Sequence, residues 1–326
     1  MKRQIITANF IQTICWEGDL IVDWSSGRKY SLDGKEKQFG VHWGWGDSVI
    51  NSSDGKYIFI YKKLGTKGLI IKNGELLREI NRPYYCSNAF EFPAAFITVE
   101  NRTYLIHCPI AYNQLDFEDV ETGEIITNID NRKPIDRFHS RLEISPDGRW
   151  LMSKGWVWHP LDMIMVFDIK KCLVNPQLLD EPRLYPNVNV EVCTASFVDE
   201  NIVVIGSSDV VLDEEEVGDL PPKHICLWNL RTDKLSKPVA IKENFGNLFA
   251  INSNCAWDLF DFPKIINLNT GEIIEQNEEI NSGKQNSSII DNTDSFPSII
   301  FNKKTGQIAI KANEKIELLT PGDHPV

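Results

Sequence analysis

A bent hairpin occurs twice in this chain. The stretches "VINSSDGKYIFI" (residues 49–60) and "LEISPDGRWLMS" (residues 142–153) each set an Asp-Gly corner between two runs of strand-forming residues. Their glycines, Gly55 and Gly148, stand 93 residues apart. Half of that distance, about 46, points to Asn101, where "AAFITVENRTYLIHCP" again joins two β-rich runs through a short polar corner. Similar corners follow at residues 199–201, 252–254 and 303–306, and a first one is expected near Asn9. The seven corners are spaced by roughly 46 to 53 residues.

A second landmark keeps the same period. Downstream of the corners come "LIVDWSSGRKYSL", "LIIKNGELLREI", "LDFEDVETGEIITNI", "IMVFDIKKCLV", "ICLWNLRTDKL", "KIINLNTGEII" and a shortened "KIELLTPGD". Asn-Gly and Thr-Gly pairs in these runs supply the positive φ that hairpin turns need. Each unit therefore reads as four short strands, a to d. The a–b and c–d corners are tight, and the b–c and d–a connections vary in length. In unit one, residues 2–7 are expected as strand a and residues 20–32 as the c–d run. Only "HPV" follows "EKIELLTPGD". The last unit is thus expected either to keep three strands or to be completed by an N-terminal segment that crosses to it.

No stretch of a dozen residues carries an uninterrupted helical apolar stripe. At 326 residues the chain exceeds the size at which one core stops growing, so it needs two domains or an architecture that extends by repetition. An all-β fold follows: a β-propeller of seven blades, each of four short antiparallel strands, forming a single domain over residues 1–326. Six blades result if the last two units are misassigned. Two β-sandwiches would not explain a period that runs the length of the chain.

The stretch "HSRLEISPDGRWLMS" from His139, with the strand ends "VFDI" (residues 166–169) and "LWNL" (residues 227–230), resembles WD-repeat and YVTN-type propellers. The units depart from the WD pattern: no Gly-His pair opens them and no Trp-Asp closes strand c. The resemblance implies a disc-shaped scaffold that holds other macromolecules, and for His139 a packing role ahead of a strand.

If the tight corners share one face of the disc, the longer connections share the other. The unusual residues converge there. "HWGWGD" (residues 42–47) and "NRPYY" (residues 81–85) are d–a connections. "HCPIAY" (residues 107–112), "GWVWHP" (residues 155–160) and the long acidic "DVVLDEEEVGDLPPKH" (residues 209–224) are b–c connections. Loops on a rigid scaffold carry binding, and Trp and Tyr are the residues interfaces favour. The candidate binding residues are therefore Trp43, Trp45, Tyr84, Tyr85, Trp156, Trp158 and His159, with Glu214, Glu215 and Glu216 as an acidic rim. Packing between blades is the other use such tryptophans have, and a solvated insertion the other use of the glutamates.

Thirty-four basic against 46 acidic residues give a net charge of −12. That balance disfavours nucleic acid and anionic membranes and suits a basic protein partner, to be neutralised or organised. Cys15, Cys86, Cys108, Cys172, Cys193, Cys226 and Cys255 lack metal-like spacing and read as reduced thiols of a cytoplasmic protein. No signal peptide and no membrane helix are expected.

The six histidines show no H-x-x-H or H-E-x-x-H spacing. His107, His159 and His224 are placed in b–c loops, where only side chains turned to the central axis could meet on a metal. No nucleophile elbow, phosphate loop or dinucleotide fingerprint is present; "GWGDS" (residues 44–48) lacks the strand–Ser–helix context. The expectation is a non-catalytic, cofactor-free protein-binding scaffold. The competing class is an axial-site hydrolase or lactonase-like enzyme using a metal or carboxylates.

Overall fold

The computed structural model describes residues 1–158, 161–181, 184–212, 218–290 and 296–322. The two sequence-identified corners fold identically. The Ser52 and Ser145 hydroxyls each bond an aspartate two residues on and accept the amide five residues on, that of Tyr57 (3.0 Å) or Trp150 (2.9 Å). The glycine that ends each corner takes the left-handed backbone the turn requires, φ 70° at Gly55 and 71° at Gly148.

Seven small antiparallel sheets result. The chain opens with β1 (Lys2–Thr7). Blade one holds β2 (Cys15–Glu17), β3 (Leu20–Asp23), β4 (Arg28–Ser31) and β5 (Glu36–Gln38). Blade two holds β6 (Ser48–Asn51), β7 (Tyr57–Tyr61), β8 (Lys67–Lys72) and β9 (Glu75–Asn81). Blade three holds β10 (Ala95–Val99), β11 (Arg102–His107) and β12 (Asp116–Asp119), with a bridge from Glu118 to Ile125 in the outer position. Blade four comprises β13 (Arg137–Phe138), β14 (Glu143–Ile144), β15 (Trp150–Val157) and β16 (Leu161–Asp168). Blade five has β17 (Val190–Phe197), β18 (Ile202–Val211), β19 (His224–Asn229), β20 (Lys234–Leu235) and β21 (Val239–Ala240). Blade six has β22 (Leu248–Ala250), β23 (Cys255–Asp258), β24 (Lys264–Asn267) and β25 (Ile273–Gln276). Blade seven has β26 (Ile299–Asn302), β27 (Gln307–Ala312) and β28 (Lys315–Thr320).

Seven apolar clusters close these sheets into a ring, because each cluster joins one blade to the next. Blades three and four share Ile106, Phe117, Leu151 and Phe167. Blades four and five share Met152, Val166, Val203 and Ile205. The series runs on through blades five–six and six–seven, and continues from one to two and two to three. Ile6, Ile21, Tyr30, Ala309 and Leu318 join blade seven to blade one. Successive strand residues point to opposite faces, so Leu151 packs on blade three while Met152 packs on blade five. Each blade is buried on both faces, and no central core is needed.

Unit one corrects the sequence reading. Lys2–Thr7 is the outer strand of blade seven, paired with β28 from Lys2↔Thr320 to Thr7↔Lys315. Blade one starts at Cys15, so residues 20–32 form its b–c hairpin. The shift has a local cause. Asp23 Oδ1 accepts the amides of Ser25 and Ser26, both at 3.1 Å, ahead of left-handed Gly27. Asn267 clasps Asn269 and Thr270 in the same way ahead of Gly271, at the c–d corner of blade six. One turn chemistry serves both ends of a blade.

Unit four departs as well. Instead of a c–d hairpin, β16 runs into helix α1 (Ile169–Val174), capped by the Asp168 carboxylate on the Lys171 amide and ended at Asn175, before Pro176. Ile169 and Cys172, one turn apart, are the buried residues of this helix. His139 is buried and its Nδ1 lies 3.0 Å from Ser153 Oγ. The strand-c position opposite holds Phe167, whose phenyl ring lies 6.2 Å from the imidazole and has no N–H to bond it.

Candidate functional site

The b–c and d–a connections do share a face, and they interlock there. The blade one–two connection folds over the b–c turn of blade one. The amides of Trp43 and Gly44 donate to Ser25 O at 3.1 and 2.8 Å, and Ser25 Oγ donates to Trp45 O at 2.7 Å. Gly27 permits this approach, since a Cβ there would stand 2.5 Å from Val41 O. Trp43 and Trp45 are half-buried against Val22, Trp24, Val49 and Ile60 between blades one and two.

A second aromatic group lies on blades three and four. Phe90 and Phe138 stack with centroids 4.0 Å apart and planes 3° apart. Trp156 sits 5.9 Å from each and meets Trp158 edge-on at 4.7 Å. Tyr112 lies 4.8 Å from Phe138 and 4.7 Å from Tyr85. Phe90, Phe138 and Trp156 are buried, whereas Trp158 is 49% exposed, Tyr85 52% and Tyr84 83%. The group is thus a buried aromatic base carrying exposed rings. Gly155 makes it fit: a Cβ there would be 2.0 Å from Phe138 O, so only glycine lets β13 lie against β15. The Tyr112 hydroxyl donates to Asp136, and burial together with that carboxylate pushes its pKa up to about 12.

Tyr85, Trp156 and Trp158 therefore come together, with Tyr84 next in sequence. Trp43 and Trp45 form a separate group two blades away. His159, Glu214, Glu215 and Glu216 lie outside the described residues. Phe90, Phe138 and Tyr112 complete the cluster and were not singled out from the sequence. Only Tyr112, inside "HCPIAY", carried a signal.

The same face has a strap. After β25 the chain leaves blade six and reaches blades three and four before resuming at β26 in blade seven. Ser288 gives its amide to Asp162 at 2.9 and 3.1 Å, and its hydroxyl donates to the same carboxylate. The Ile290 amide donates to Ala89 O at 2.8 Å, and Ile289 pairs with Phe90. Blades three and four face blades six and seven across a seven-membered ring, so residues 277–290 span the axis. Beneath them Asp162 is buried 3.8 Å from the Arg141 guanidinium, and its amide donates to Glu191, whose carboxyl burial pushes up.

The histidines are spent elsewhere. His107 ends β11 rather than lying in a loop, is buried, and bonds Glu118 through Nε2 at 2.9 Å. His224 begins β19 with Nδ1 2.8 Å from Pro222 O. Among the described residues no three His, Cys, Asp or Glu side chains group as metal ligands. All seven cysteines are free thiols, all but Cys86 buried, and burial pushes Cys193 and Cys226 up to about 12. No helix among the described residues is long and apolar enough to cross a membrane.

Neither a protein-family model nor a curated protein matches the sequence. Solved structures do match the fold. A chain of the crystal structure of the mitotic checkpoint complex superposes with a TM-score of 0.58 at 12% identity, over 98% of this chain and 91% of that one. The computationally designed Ika8 protein gives 0.51 at 14% identity, over 97% and 96%. The chain folds as a seven-bladed β-propeller. At such identities the propeller's likeness to these structures is one of fold alone.

Proposed function

We propose that this propeller is a non-catalytic scaffold that binds a protein partner on its b–c/d–a face. The observation that carries the reading is the aromatic group of blades three and four. Large rings held exposed on a buried base give contact area with little side-chain entropy to lose, the usual anatomy of an interface hot spot. Tyr84, Tyr85 and Trp158 are the anchors in this reading and Trp156 their support, with Trp43 and Trp45 as the half-buried far margin. His159 and the Glu214–Glu216 run are the further contacts in this reading. The net charge of −12 favours a basic partner, drawn in at a rate that salt reduces. A similarly folded chain in the structure of a multiprotein complex is in keeping with a scaffold role.

The test is paired affinity purification from the native source with the wild-type protein and a Tyr84→Ala/Trp158→Ala variant. A partner retained by the wild type, released by moderate salt and lost by at least about tenfold in the variant supports the face. Equal retention by both folded proteins removes it. Neutralising Glu214–Glu216 to Gln should slow association and flatten its salt dependence while leaving dissociation nearly unchanged.

A further inference from the structure

A cavity of about 540 Å3 opens on the b–c/d–a face. Its walls come from blades seven, one and two: the connection between β1 and β2, the start of β6, the b–c loops after β7 and β27, and the lead-in to β26. That volume lies within the range of small-molecule sites. Phe10, Phe296 and Pro297 supply apolar wall, and Phe10 is held 76% exposed on a left-handed backbone.

The charged lining is unevenly occupied. Asp47 accepts the Lys63 amide at 2.7 Å and has the Lys62 ammonium at 3.8 Å, while Glu314 stands exposed at the rim. Lys311 donates to Gln12 O at 2.8 Å, its one acceptor among the described residues, which leaves two of three N–H bonds open. Among the described residues the Lys63 ammonium has only Glu91, at 4.0 Å. Burial and the neighbouring Lys63 and Lys62 charges all act against the charge on Lys311, with Asp23 and Asp47 acting for it. A bound anion would relieve that conflict.

We propose that this cavity binds a small organic anion, a carboxylate or phosphate on an apolar body. The head sits between Lys63 and Lys311 and the body rests on Phe10, Phe296 and Pro297. The site shares its face with the protein-binding group proposed above but uses none of that group's residues.

Titration calorimetry with benzoate, phenyl phosphate, inorganic phosphate, benzyl alcohol and benzylamine tests it on the full chain. One-site saturation by benzoate or phenyl phosphate is expected, at least about tenfold tighter than benzyl alcohol or benzylamine. The better of the two identifies the head group. Lys63→Met and Lys311→Met should each weaken that binding by roughly tenfold. Phe10→Ala should weaken the aromatic anion and leave inorganic phosphate unchanged. Phe10 is exposed, so this variant and Lys63→Met carry the test if Lys311→Met unfolds. The proposal fails if neither anion saturates by about 10 mM, if benzylamine binds as well as the anions, or if the folded lysine variants bind like wild type.

Discussion

The imidazole of His139 is held neutral by its surroundings, since burial first and the Arg137 charge second push its pKa down to about 3. Below its ordinary value, about 6.5, the unfolded chain takes up a proton here that the folded chain refuses. The stability this residue contributes is therefore fully present above pH 6.5 and is lost as the pH falls toward 3. At pH 5 the loss is about 2 kcal/mol. Urea unfolding at pH 7 and pH 5 should show the wild type losing more than His139→Gln by about that increment, since the glutamine does not titrate while other groups, Asp258 among them, do so in both proteins. Gly155 is the other decisive single residue. Gly155→Ala drives a methyl into Phe138 O, which should cost several kcal/mol, about 3 or more, and disturb the rings built on Phe138. Tryptophan emission from Trp156 and Trp158 reports that disturbance directly. The sequence suggests a packing role for His139, but it places Gly155 in a b–c connection, whereas the structure puts it inside β15.

Among the elements, the far end of the strap is held to blades three and four through Ser288, Ile289 and Ile290. Ser288→Ala removes the hydroxyl bond to buried Asp162 and should cost about 1–2 kcal/mol. Exchange of the Ile290 amide, paired to Ala89 O, should quicken by roughly tenfold while the blade strands stay protected. Unchanged exchange would mean that the strap is held by other contacts. The corners of units two to seven were legible because their turn residues act within six positions. The strap was not, since nothing in "EEINSGKQNSSII" names a carboxylate more than a hundred residues away. Helix α1 was masked too: with two buried positions it has no stripe to detect. The aromatic group shows the same division. Trp156, Trp158 and Tyr85 stand out by residue type, while Phe90 and Phe138 matter only through a contact between distant connections.

For the whole molecule, the seven shared clusters make each blade depend on its neighbours, and the ring depends on β1. Removing residues 1–7 bares the edge of β28 and takes Ile6 from the blade seven–one cluster. A loss of about 5 kcal/mol or more is expected, seen as a large fall in melting temperature. A synthetic peptide of residues 1–8 should recover much of it, because the edge it pairs with is preformed. The period near 47 residues gave the ring's size, and the short C-terminal remainder gave closure as one of two outcomes. What decided between them was the register of blade one, which a turn used at both ends of a blade leaves open.

This closure has a consequence for synthesis. Strand β1 is made long before it can find its place, since β26 to β28 follow roughly three hundred residues later. Until then the growing chain carries β1 unpaired and an open sheet edge on the blades already made. Such a chain has reason to be met by a chaperone while it is being made, and two copies growing side by side could exchange their β1 strands.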